Sequence, residues 1–366
     1  MEVAGRVPRL REALGAAPDP DGLPEALLVT KLVNVRYLTG FTGSAGLVLV
    51  LPDELVLVTD GRYGQQADEQ LGASGVAARV MVAGVEQREV VGAAVRAAGV
   101  KRLALEADAV TWAQQRAYAE SWFAGIELVA TTGLVDDLRL VKDPGEVSRI
   151  EAAAAVADEA LARVRPRLLD GPTEQEFGIE LDFEIRRLGA WGNSFETIVG
   201  SGPNGAKPHH RPSPRRIAEG DLVVLDFGAV VDGYCSDMTR TVMVGDPSPT
   251  QVRMLDVVTE AQAAGVAAVG PGVATATVDA ACRQVISDAG WGDAFLHATG
   301  HGVGLEIHEA PRVAATAAAT LAPGVVVTVE PGVYLPDHGG VRVEDTLVVT
   351  ADGSRPLTLA PKTTAV

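Results

Sequence analysis

Between Asp221 and Thr241 an apolar run, Leu222 to Leu225, ends on the carboxylate of Asp226, turns through glycine and returns with Asp237. A two-stranded ribbon of this kind can set both carboxylates on one side. Burying two anions is costly unless something compensates, and a metal ion is the usual compensator. The chain then writes the same element a second time. Asp226 lies six residues after Gly220, and Glu330 lies six residues after Gly324. Each acid is followed two residues on by glycine, Gly228 and Gly332. A second acid comes later in each copy, Asp237 and Glu344, each followed two residues on by threonine, Thr239 and Thr346. A single strand-end aspartate is most often a solvated residue. Four carboxylates in register within Val- and Leu-rich strands carry the charge that balances two divalent cations, and they read as a metal site.

The segments around the ribbons repeat as well. Helices are expected over 147–165 and 174–188, the second with Thr173 as N-cap, then a strand from Phe195 to Val199 and a polar loop bearing His209 and His210. Helices over 251–269 and 278–289 lead in the same order to a loop bearing His297, His301 and His308. Two helices, a histidine loop and an acidic ribbon, twice over, predict a pseudo-twofold domain with the ribbons at its centre and helices outside. Residues 1–130 instead alternate strands, at 26–29, 46–51, 55–59, 102–105 and 127–130, with helices at 89–98 and 112–123. Within them, residues 34–44 and 60–63 place Arg and Tyr beside turn glycines and read as surface turns with anchoring aromatics. The charged breaker from Leu138 to Glu146 sets a domain boundary between about 130 and 145. The fold class is α/β (α+β), in two domains.

All six histidines fall in such loops, the sixth being His338. The segment from Phe295 to Glu309 carries three of them, among glycines that forbid a stable helix. With 47% apolar residues the chain is not disordered, and its net charge of −17 repels phosphate backbones and anionic membranes. Neither a nucleic-acid nor a membrane partner is expected, and no apolar run reaches spanning length. The first residues lack the apolar region of a signal peptide, and the two cysteines, Cys235 and Cys282, have no metal-type spacing. A cytoplasmic protein with free thiols is expected. One imidazole and four carboxylates form a mostly oxygen set that suits Mn²⁺, with Co²⁺ or Zn²⁺ as alternatives. Two such ions about 3.5–4 Å apart can acidify a shared hydroxide and polarise a carbonyl, which is machinery for hydrolysis.

These motifs resemble, in order and spacing, those of the pita-bread metallopeptidases, specifically the proline-directed branch that contains aminopeptidase P and prolidase. The resemblance covers nearly the whole chain. It implies a creatinase/aminopeptidase P-like domain over 1–135 and a pita-bread catalytic domain over 142–366. It implies Asp226, Asp237, His301, Glu330 and Glu344 as ligands of two metal ions, with Asp237 and Glu344 bridging. Glu330 would also carry the proton from the attacking hydroxide to the leaving nitrogen. His209 matches the histidine of the Ser-Gly-Pro-Asn…Pro-His motif; the adjacent His210 is left unassigned. His297 and His308 match histidines that hold substrate and stabilise the tetrahedral oxyanion. Arg342 matches an arginine of the proline-directed branch and reads equally as the salt-bridge partner of a ligand carboxylate. Ala298 stands where the family commonly has glycine, and Lys207 where it is often apolar. The implied substrates are peptides with proline at the second position, and the implied assembly is a homodimer. The alternatives are a dipeptide-restricted prolidase and, further off, a creatinase-like enzyme, a non-catalytic binding module or a methionine aminopeptidase. Intact ligands, Arg342 and the long N-terminal domain speak against the last three.

Overall fold

The computed structural model describes residues 2–16 and 22–366. The chain divides after Arg139 into two compact units, each with its own apolar core.

In the first unit the strand Ala26–Val29, buried at every position, lies inside a six-stranded sheet. Gly46–Val50 pairs antiparallel with it and with Leu55–Thr59, forming the hairpin expected from the sequence. Arg102–Glu106 and Glu127–Thr131 extend the other side in parallel. Two expectations need correction. Residues 34–39 are not a surface turn but the body of the helix Leu32–Thr39, because Val35, Leu38 and Thr39 recur at helical spacing and are buried. Gly40, at φ 78°, ends that helix in the left-handed conformation that glycine adopts without strain. The helix at Trp112 is α-helical only to Ala117 and then widens into π turns over Tyr118–Trp122.

The second unit is built by repetition. Helices Pro144–Val164 and Glu174–Arg187 start at capping boxes, Asp143 with Glu146 and Thr173 with Glu176, so their first turns have satisfied N–H groups. Their Ala153, Leu161, Phe177 and Leu181 pack on Val223, Leu225 and Val242 of the first ribbon. Helices Pro249–Ala268 and Thr275–Asp288 do the same for the second, where Met254, Val278 and Cys282 share a core with Val327, Val329 and Leu347. The first ribbon is Leu222–Phe227 paired antiparallel with Met238–Met243, and Ile198–Ser201 flanks it. That flanking strand begins at Ile198, three residues later than the pattern predicts, since Phe195–Thr197 bend away toward the site. The second ribbon is Val326–Val329 paired with Asp345–Val349, flanked by Gly300–Gly302. Between its two acids each ribbon throws out a small hairpin: Ala229–Val231 with Tyr234–Cys235 in the first, Gly332–Leu335 with Gly339–Arg342 in the second. Among the described residues no helix is long and apolar enough to cross a membrane.

Candidate metal centre and active site

The ribbons deliver their acids from matching places. Asp226 lies in the first strand of its ribbon opposite Thr239, and Asp237 immediately precedes the second strand. Glu330 follows the first strand of the other ribbon, and Glu344 immediately precedes its partner. One ligand atom each from Asp237, His301 and Glu344 lie within 4.8 Å of one another. His301 Nε2 is 3.4 Å from Asp237 Oδ2 and 3.4 Å from Glu330 Oε1. Asp226 joins from the other side, its Oδ2 accepting Arg342 Nη2 at 2.6 Å.

The threonines that follow the acids cross between the halves. Thr239 Oγ1 donates to Glu344 Oε2 at 2.7 Å, and Thr346 Oγ1 donates to the backbone carbonyl of Asp237 at 2.8 Å. Each ribbon therefore fixes an acid of the other. The backbone N–H of Glu344 adds a bond to the Thr239 carbonyl at 3.1 Å.

Asp237 and Glu344 are 4% and 1% exposed. Burial first, and then the neighbouring carboxylates, hold both well above the usual carboxylate range. Glu330 is pushed up to about 8, chiefly by burial, with the Arg342 charge pulling against the shift and Asp226 adding to it. Burial also pushes His301 down to about 4, so its imidazole is neutral. Its Nδ1 lies 3.0 Å from the Gly302 carbonyl, which can only accept; the proton is therefore on Nδ1 and the lone pair on Nε2. That lone pair faces Asp237 Oδ2 and Glu330 Oε1, each at 3.4 Å. Asp226 Oδ1 and Glu344 Oε1 are buried with no hydrogen-bond partner. Donor atoms converging in this way in a buried site offer themselves to a cation, whose charge offsets the cost of keeping the carboxylates ionised. The donor set fits divalent metal, and the backbone carbonyl behind His301 is the kind of partner that orients a metal-binding imidazole.

A single cavity of about 930 Å³ is lined by all five of these residues and by His209, His297, His308 and Arg342. The structure thus gathers every site residue expected from the sequence. His209 and His308 are exposed at its wall, the His308 ring standing edge-on to His301 with centroids 4.3 Å apart. His297 is different. Its Nδ1 lies 2.8 Å from the Ala298 carbonyl and its Nε2 2.8 Å from the Tyr334 hydroxyl. Arg342 Nη1 donates to that hydroxyl at 2.8 Å, so the hydroxyl hydrogen is directed to His297 Nε2. Burial and then the Arg342 charge lower His297 to about 4. Both nitrogens of this neutral ring are occupied by the protein, and direct donation to an oxyanion would first break the Tyr334 bond.

Arg342 is a hub rather than one salt bridge. It reaches Asp226, Tyr334, Thr239 Oγ1 at 3.0 Å and the Pro208 carbonyl at 3.3 Å. Tyr334 is the residue that the sequence reading missed. In a buried strand it passes for a core aromatic, and the available signal was its hydroxyl, which needs a partner when buried. Arg211 and Arg312 also line the cavity. Lys207 does not; its Nζ turns back to Asn204 Oδ1 at 3.0 Å. His210 lines the cavity and bonds Glu174, whereas His338 is exposed in the turn of the outer hairpin and takes no part. Ala298 lines the wall and supplies its carbonyl to His297.

Residues 148–351 match metallopeptidase family M24, and residues 6–141 match the creatinase/prolidase N-terminal domain. The peptidase YqhT of Bacillus subtilis is 42% identical over 338 residues, 92% of this chain and 94% of that protein. An Xaa-Pro dipeptidase from Bacillus anthracis has the same fold with a TM-score of 0.93 and 39% identity, covering 100% of both chains. An X-Pro aminopeptidase from Thermotoga maritima follows at 0.88 and 32%, covering 94% of this chain and 98% of its own. Ribbons, cavity and donor set together define a metallopeptidase, and the chain belongs to metallopeptidase family M24. Within that family it falls in the proline-directed, pita-bread branch that its motifs resemble.

Proposed function

We propose that this M24 peptidase removes the first residue from peptides whose second residue is proline. The carrying observation is the convergence of five metal-donor side chains and three histidines on one cavity of about 930 Å³. That volume is near the top of the range of about 300–1,000 Å³ usual for small-molecule sites, more than a dipeptide needs. In this reading Asp226, Asp237, His301, Glu330 and Glu344 would hold two divalent cations, most simply Mn²⁺. When bound, the cations polarise the scissile carbonyl and acidify water.

The remaining work falls to side chains. Glu330 takes a proton from the attacking water and gives it to the proline nitrogen, which has no hydrogen of its own in the peptide bond. His308 and His209, exposed on the wall, donate to the substrate carbonyl and its developing oxyanion. His297 acts through Tyr334, keeping the Arg342 hub and hence Asp226 in place. Proline's fixed φ presents its carbonyl at one angle, so a preformed wall selects it at little ordering cost. The catalytic assignment is to residues 142–366 and the creatinase-like one to 1–135. A cytoplasmic homodimer is the setting we infer, with Cys235 and Cys282 both buried.

Restriction to dipeptides is the second reading. The full-length similarity to a protein named Xaa-Pro dipeptidase favours it, as do two arginines, Arg211 and Arg312, able to meet a dipeptide's carboxylate. Kinetics of the Mn²⁺-loaded protein on Ala-Pro, Ala-Pro-Ala and Ala-Ala-Ala separate the cases. Turnover of both proline substrates is expected. Activity confined to Ala-Pro makes the protein a dipeptidase, and equal kcat/KM on the two tripeptides refutes proline selectivity.

A further inference from the structure

The helix Glu174–Arg187 begins on a carboxylate with no part in capping it, since Thr173 and Glu176 already do that. Glu174 is 0% exposed. Its Oε1 accepts the Ser201 N–H at 2.8 Å, the Ser201 hydroxyl at 2.7 Å and Asn204 Nδ2 at 3.1 Å. Its Oε2 accepts the Ser213 N–H at 3.0 Å and the Ser213 hydroxyl at 2.6 Å, and His210 Nε2 lies 2.8 Å from it. Burial raises the carboxyl's proton affinity, but the bonds from Ser213, Ser201 and His210 outweigh it and hold the group at about 2. All these partners belong to one segment, residues 201–213, which carries His209.

A buried anion is costly unless hydrogen bonds satisfy it, and the bonds that do so also fix their donors in place. Here it ties both ends of a loop whose middle forms the cavity wall through Pro208, His209 and Arg211. The loop's other flank rests on the hairpin that bears Arg342. Gly205 and Gly340 are in backbone contact so close that a Cβ on Gly340 would stand 1.9 Å from the Gly205 carbonyl oxygen, and Arg342 Nη1 reaches the Pro208 carbonyl. The loop is held on one side by a buried carboxylate and on the other by a strand, and it carries His209.

We propose that Glu174 is the positioning residue for His209, with His210 serving as its tether rather than as a second substrate group. This rests on the substrate-facing role given to His209 above. The test is a double-mutant cycle: Glu174→Gln, His209→Ala and the pair, with kcat and KM on Ala-Pro, metal content by elemental analysis, and amide exchange over 201–213. Glu174→Gln should keep its metals, expose the 201–213 amides to faster exchange and lower kcat/KM on the order of 10²-fold, as a misplaced catalytic group does. In the His209→Ala background the same substitution should change kcat/KM by less than about twofold, because coupled residues are not additive. If Glu174→Gln fails to fold, Ser213→Ala, which removes one donor, should give the same pattern in smaller measure. Additive losses, or an unperturbed Glu174→Gln, overturn the proposal while leaving His209 its role. A fully active His209→Ala removes that role itself, and the positioning inference with it.

Discussion

The two ribbons share strand order, glycines and threonines, yet their leading acids live in different surroundings. Asp226 is clasped by the Arg342 guanidinium at 2.6 Å. Glu330, its counterpart, has only the Thr328 hydroxyl at 3.1 Å and the neutral ring of His301. The source of the difference can be located. Arg342 stands two residues before Glu344, and the matching place before Asp237 is held by Cys235. The repeat supplies the scaffold for two equivalent acids, and one arginine without a counterpart makes them unequal. Asp226 is pinned by a charged partner, while Glu330 is left without one and its proton affinity is raised by burial.

Four experiments break or sharpen that contrast. Stripping the metals should abolish turnover, with Mn²⁺ restoring the most; full activity in protein shown to be metal-free would end the reading of both ribbons. Glu330→Gln should cost on the order of 10³-fold or more in kcat that no excess of metal recovers. Asp226→Asn should be repaired in large part by raised metal concentration, and equal, metal-rescuable deficits in the two variants would erase the division of labour. The third experiment uses pH. Glu330 rises from 4.5 to about 8 on folding, so between those values the metal-free native state holds a proton the unfolded chain has released, and stability falls as pH rises. His297 and His301, lowered from 6.5 to about 4, act in the opposite sense but only below 6.5. The Tm of metal-free protein should therefore decline from pH 6.5 to 8, less steeply in Glu330→Gln and not at all with metal bound. A Tm that rises across this window contradicts the assignment. The smallest effect concerns the threonines. Thr239→Val loses a bond to a carboxylate, about 1.5–3 kcal/mol, and Thr346→Val a bond to a neutral carbonyl, about 0.5–1.5 kcal/mol. Urea unfolding of the two variants with metal bound tests the order; in the metal-free protein burial favours the protonated Glu344 and would bring the two losses together.

Much of this was legible because repetition is legible. Asp226, Asp237, Glu330 and Glu344 could be paired from spacing alone, and the histidines of the second loop stood out by density. What the sequence hid are contacts between distant positions that carry no periodic mark. The hydroxyl of Tyr334 and the carboxylate of Glu174 look like a core aromatic and a helix-start acid, and their partners lie 8 to 39 residues away. The occupied state of His297 was equally invisible, since a histidine in a glycine-rich loop gives no sign of which nitrogen is free. The helix Leu32–Thr39 was lost to its glycine-rich surroundings, which drew attention from Val35 and Leu38.

The crossed threonine bonds carry a consequence for how such a domain can be taken apart. A half with one ribbon and its two helices has a core of its own, but its acids are aligned by a neighbour it would not possess. Neither half is complete without the other, and in this chain the exposed segment 245–249 joins them. The site is a seam between the two halves, and cleavage of the chain at that segment would leave two pieces whose acids are aligned only when they meet.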